Sequence, residues 1–153
     1  MVWDEARAAD ILRRHKGREG ALLPILHDIQ AAYGCIPQEA LPFIAQALNL
    51  SRAEVHGVVS FYHDFRERPA GRHVLKLCRA EACQSMNGEA LADRVLKHFG
   101  IPWGGTTPDG QLTIEATYCL GLCACAPSAM LDGEPMARLT PASIDTIVAE
   151  VAQ

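Results

Sequence analysis

The chain has 153 residues, of which 49% are hydrophobic, and a net charge of −4 at pH 7. That is enough apolar material for one ordinary domain or two small ones, with no run near the ~18–20 apolar residues of a membrane span. The charge is unevenly spread: from Asp109 onward Arg138 alone faces Asp109, Glu115, Asp132, Glu134, Asp145 and Glu150, which argues against nucleic-acid binding there, since phosphates need clustered cations.

The opening stretch, MVWDEARAAD, is acidic and lacks the basic-then-apolar order of a signal peptide. A cytoplasmic protein is expected, without membrane insertion, in a reducing compartment where clustered cysteines more often bind metal than form disulfides. Arg13, Arg14, Lys16 and Arg18 read as a solvated helix face.

The first seventy residues read as helices. Leu22, Ile25, Leu26, Ile29 and Tyr33 fall at helical spacing, and Gly34 suits the position just past the end. Pro37 restarts a helix with Leu41, Ile44, Ala45 and Leu48 on one face. Ser51 and Glu54 have capping-box spacing, so a further helix begins at Arg52 and turns Val55, Val58 and Val59 inward. Pro69-Ala70-Gly71 is the best linker, because the periodicity changes after it.

From His73 the pattern is mixed. HVLKLC alternates like a strand ending at Cys78. A loop is expected next, then a helix over about Glu89–Phe99 that buries Leu91, Val95, Leu96 and Phe99. TPDG at 107–110 is a turn, and QLTIEAT sets Leu112, Ile114 and Ala116 on one face of a second strand. SAML and PMAR flank Asp132-Gly133-Glu134 as a hairpin, and Thr140-Pro141 opens a last helix with Ile144, Ile147, Val148 and Val151 buried. Strand, helix, strand, hairpin and helix make a small α/β domain.

Cys78 and Cys83 form C-x4-C after one strand, and Cys119 and Cys123 form C-x3-C after another. Parallel neighbouring strands would deliver both loops to one end of the sheet, so four thiolates can converge. Wide loops suit a two-iron cluster, whereas structural zinc usually takes tighter C-x2-C knuckles. Buried structural thiols are the third reading. A zinc-stabilised interaction module and a thiol–disulfide oxidoreductase are the rival functions, although the latter normally wants C-x2-C at a helix start.

The pattern C-x4-C … C-L-G-x-C-x-x-A-P, preceded by TTPDG, resembles the thioredoxin-like [2Fe-2S] ferredoxin subunit of NADH dehydrogenases. This is the 24-kDa-subunit family of respiratory complex I, with relatives in NAD-dependent hydrogenases and formate dehydrogenases. LLPILHDIQAAYGCIP and EVHGVVSFYHDF resemble the family's helical segment, including an aromatic stretch at Phe61, Tyr62 and Phe65. The resemblance covers about residues 20–150. It implies an N-terminal helical bundle (residues 1–70) that docks a partner, followed by a thioredoxin-like [2Fe-2S] ferredoxin domain (residues 73–153). It further implies one [2Fe-2S] cluster, held by Cys78 and Cys83 on one iron and by Cys119 and Cys123 on the other.

The resemblance also implies a partner subunit that binds FMN and NADH, accompanied by a larger iron–sulfur or molybdenum-containing subunit. No Gly-rich dinucleotide loop occurs in this chain. It is expected to have no catalytic residue and to pass single electrons beside the flavin. CRAEACQS replaces the C-x-G-T-x-C-H that complex I subunits usually show, and Ala124-Cys125 stands where glycine and asparagine are usual. Both loops are more similar to the gamma subunit of molybdenum-containing, NAD-dependent formate dehydrogenases. Cys125 is expected to be a bystander and Cys35 a packing residue. Asn87 stands where relatives often have glycine, so a positive φ is expected there. Acids in the second half should lower the cluster potential, and Arg79 should oppose them.

Overall fold

A computed structural model describes residues 3–151. The chain divides into two compact units, the first ending at Pro69 and the second beginning at Ala70. Among the described residues no helix is long and apolar enough to cross a membrane.

The first unit contains α1 (Glu5–Arg14), α2 (Leu22–Tyr33), α3 (Ala40–Leu48) and α4 (Arg52–Phe61). Their starts and stops follow local chemistry. The Asp4 carboxylate accepts from the backbone N–H groups of Ala6 and Arg7 and so caps α1. Ser51 and Glu54 form the reciprocal capping box of α4, and Gly34 takes φ 76° just past α2. Ile25, Leu26, Ile29, Leu41, Ile44 and Val55 are fully buried in one core. Each aliphatic side chain so buried is worth about 1.5–3 kcal/mol of transfer free energy.

Two expectations need correction here. Pro37 does not open α3: the helix starts at Ala40, after a turn in which the Ala40 N–H donates to the Pro37 carbonyl. The basic cluster is not one helix face either. α1 ends at Arg14, and Lys16 and Arg18 lie in the turns beyond it. Arg13 pairs with Asp10, while Arg14 reaches Asp28, which also bonds His15 at 2.9 Å.

The second unit contains β1 (His73–Cys78), α5 (Glu81–Ser85), α6 (Gly88–Phe99), β2 (Leu112–Thr117), β3 (Ala129–Leu131), β4 (Glu134–Met136) and α7 (Pro141–Val151). The sheet order is β2-β1-β3-β4. β1 and β2 run parallel, with His73 opposite Leu112 and Cys78 opposite Thr117. β3 is antiparallel to both β1 and β4. Leu75 and Leu77 of β1, with Leu112 and Ile114 of β2, join Leu91 and Val95 of α6 and Ile144 and Ile147 of α7 in one buried cluster. A bidentate Arg94–Asp145 pair at 2.9 and 2.8 Å ties α6 to α7. Residues 104–107 run along the free edge of β2, exchanging backbone hydrogen bonds with Leu112 and Ile114. They cover an edge that would otherwise expose unpaired donors and acceptors.

The stretch after Cys78, expected as a loop, contains α5, and α6 follows immediately from Gly88. Asn87 between them takes φ 67° as expected. Five helical residues are too few to show a period in sequence, which is why α5 is invisible there.

Candidate metal centre

The parallel pairing of β1 and β2 sends both strand ends to one edge of the sheet, and the four cysteines of interest gather there. Cys78 is the last residue of β1 and 6% exposed. Its N–H donates to the Ser128 carbonyl at 3.1 Å, and the next N–H, of Arg79, donates to Thr117. The ladder therefore continues on both sides of this thiol. Cys83 lies in α5 and is 2% exposed. A Cβ on Gly88 would sit 2.6 Å from the Cys83 carbonyl oxygen, so only glycine lets α6 start this close to it.

The second pair is built differently. Cys119 follows β2 by two residues in a left-handed conformation, φ 83°, which a β-carbon tolerates poorly. Its sulfur lies 3.5 Å from Cys123 Sγ and accepts the Gly121 N–H at 3.4 Å. Cys123 opens a single 3-10 turn, Cys123–Cys125, pinned by the Arg138 N–H donating to the Cys125 carbonyl at 2.8 Å. Both thiols of this pair are exposed. α5 packs against the turn, so the two loops meet.

Two of these thiols are shifted by their neighbours. Burial pushes the Cys78 thiol up, yet hydrogen bonds from the Ala80 N–H, Cys83, the Cys119 N–H and Ser128 together hold it below the ordinary thiol value. Cys123 is pushed up, first by its hydrogen bond to Cys119, then by the Cys119 charge, slight burial, and the charges of Cys83 and Cys78. Thiolate charge that pushes a neighbouring thiol up is relieved by a cation between them. The donor set fits an iron–sulfur group: four sulfurs in two pairs, with backbone N–H groups aimed at them. Among the described residues no three His, Cys, Asp or Glu side chains gather at a single-ion site.

Arg79, beside Cys78, lays its guanidinium over the Trp103 ring at 5.1 Å and reaches Glu89 at 3.7 Å. Its charge is thus shared with a carboxylate and an aromatic face. Cys125 is half-buried, and Cys35 is buried in the helical unit, where burial pushes its thiol up. Neither Gly88 nor Ser128 stands out in the sequence as a site residue. Asn87-Gly88 is a legible turn signal, whereas Ser128, the residue before β3, carries no such signal.

A family model described as thioredoxin-like [2Fe-2S] ferredoxin matches residues 8–152. The chain belongs to this family. Among its relatives, an NADH-quinone oxidoreductase subunit of Mycobacterium tuberculosis is 36% identical over 144 residues, which cover 94% of the chain and 57% of that protein. The chain therefore spans little more than half the length of that relative. The NADP-reducing hydrogenase subunit HndA of Solidesulfovibrio fructosivorans is 33% identical across 87% of the chain and 78% of its own length. In the crystal structure of an H2-reduced NAD+-reducing [NiFe]-hydrogenase, one chain superposes with a TM-score of 0.75 at 30% identity. That match covers 86% of this ferredoxin-family chain and 22% of the hydrogenase chain.

Proposed function

We propose that this chain is a non-catalytic electron-transfer subunit carrying one [2Fe-2S] cluster on Cys78, Cys83, Cys119 and Cys123. The observation that carries the reading is the meeting of two thiol pairs at one sheet edge in a chain of this family. The cluster supplies one-electron storage when bound. Cys78 and Cys83 offer a buried pair of donors set by β1 and α5, and Cys119 and Cys123 an exposed pair set by the loop after β2. Backbone N–H groups of Ala80, Cys119 and Gly121 stabilise negative charge on sulfur.

The partner is a flavin subunit holding FMN and NADH, and the parent complex a cytoplasmic, NAD-dependent, molybdenum-containing formate dehydrogenase. Support for that branch comes from CRAEACQS and CLGLCACAP, which resemble its gamma subunit. The second reading, an NADH:quinone oxidoreductase or NAD-dependent hydrogenase, is favoured by the names of the relatives above. Hydride chemistry falls to the partner under both readings.

Residues 1–70 serve as the docking segment. Phe61 is 73% exposed and Tyr62 is half-exposed against its edge, and aromatic residues are favoured at interface cores. Phe65, expected beside them, is instead 8% exposed and packs on His27 in the helical core. Gln30 fixes the backbone on either side of Phe65: its side-chain amide donates to the Asp64 carbonyl at 2.6 Å and accepts the Arg66 N–H at 2.7 Å.

A tagged chain purified from its own cells should bring down a flavin subunit and a molybdenum subunit with formate-dependent NAD reduction. Recovery with a nickel-containing or quinone-reducing assembly instead would move it to the second reading. Phe61→Ala with Tyr62→Ala should weaken capture of the flavin subunit by about 2–4 kcal/mol, leaving the free subunit's EPR spectrum unchanged. Normal capture by a chain beginning at Ala70 would contradict the docking role.

A further inference from the structure

Three buried polar side chains stand out among the described residues: Thr107, Thr113 and Ser128. The two threonines have oxygen and nitrogen partners. Thr107 Oγ1 donates to the Asp109 carboxylate and accepts the Leu112 N–H at 3.0 Å. Thr113 Oγ1 accepts the Gly71 N–H and bonds Thr106 Oγ1, both at 2.7 Å. Ser128, 3% exposed, is different: its hydroxyl has a sulfur for a partner, lying 3.4 Å from Cys83 Sγ.

A buried hydroxyl costs folding free energy unless it is well bonded, and a neutral thiol is a weak acceptor. A metal-bound thiolate is a strong one and carries no proton, so the hydroxyl must then be the donor. The position is also fixed by backbone. Leu77 pairs with Ala129 across β1 and β3, so the next residues, Cys78 and Ser128, face each other, joined by the Cys78 N–H to Ser128 carbonyl bond. The Ser128 backbone is thereby pinned beside Cys78 while its hydroxyl meets Cys83 Sγ.

We propose that Ser128 is a positioning residue of the cluster, donating its hydroxyl hydrogen bond to the Cys83 thiolate and raising the reduction potential. This rests on the cluster reading above. Reduction adds one electron and moves no proton: the hydrogen stays on Ser128 Oγ. The added negative charge strengthens the bond to sulfur, so the reduced state gains more from it than the oxidised state. The exposed sulfurs are served differently: Cys119 receives a backbone N–H, from Gly121.

The test is a dye-mediated redox titration of the anaerobically purified full chain, followed by EPR, for the wild type, Ser128→Ala and Ser128→Thr. The mediator supplies the electron. Ser128→Ala should bind the electron about tenfold more weakly, a downward shift of 59 mV for a one-electron couple, and Ser128→Thr should restore most of it. A Ser128→Ala cluster with the wild-type potential would overturn the inference while leaving the cluster reading intact. Wild-type protein without iron would instead overturn the cluster reading itself. Should Ser128→Ala fail to load a cluster, loading by Ser128→Thr supports the hydroxyl's role, and failure of both variants assigns the position to packing and overturns it.

Discussion

The buried pair, Cys78 and Cys83, and the exposed pair, Cys119 and Cys123, sit at one sheet edge but are held by different means. Cys78 ends a strand whose hydrogen bonds continue past it, and Cys83 lies in a short helix locked against α6. Cys119 and Cys123 depend on a left-handed residue, a glycine N–H and a single 3-10 turn. The first pair is therefore organised by the fold. The second is organised by a loop whose shape the fold needs much less. Damage near the buried pair should spread into stability, while damage near the exposed pair should stay local.

Glycine substitutions test that contrast most severely. Gly88→Ala would drive a methyl into the Cys83 carbonyl, so α6 must shift, at about 2–3 kcal/mol of stability and with reduced iron loading. Gly121→Ala meets no atom within 4 Å and pays only for its φ of 76°, about 1 kcal/mol. Urea unfolding of the two metal-free variants should show the larger loss for Gly88→Ala. Equal losses would mean that the loops are equally integrated.

Serine substitution sharpens the same contrast with a smaller effect on the fold. All four Cys→Ser variants should lose or strongly perturb the cluster, because hydroxyl is a poorer ligand for this iron. Without metal, Cys83→Ser buries a second hydroxyl beside Ser128 and should cost about 1–2 kcal/mol unless the two bond well. Cys123→Ser, at the surface, should change stability by less than about 0.5 kcal/mol. Metal-free unfolding midpoints and visible spectra measure both arms. Serine at Cys35 or Cys125 should leave the spectrum nearly unchanged.

Much of this arrangement is legible in the sequence. The alternation of HVLKLC and QLTIEAT, with a helical stretch between them, already implies parallel strands and two loops at one end. The Ser51–Glu54 box and Thr140-Pro141 mark helix starts because capping is local chemistry. Distant partners are less legible. Phe65 is held inward by a backbone that Gln30, more than thirty residues away in sequence, bonds on either side of it. Ser128 acquires its role only when β3 pairs with β1, so no local pattern distinguishes it from a surface serine. The short α5 shows the same limit: its helical conformation is stabilised by α6 and the 3-10 turn packed on it, not by periodicity of its own.

The measurement that bears most directly on the central claim is the iron and acid-labile sulfide content of the full chain, purified anaerobically from iron-replete cells. A cluster on the four cysteines requires two irons and two sulfides per chain, a brown protein, and an EPR signal that appears on one-electron reduction. Stoichiometric zinc without iron or sulfide in that preparation would contradict it.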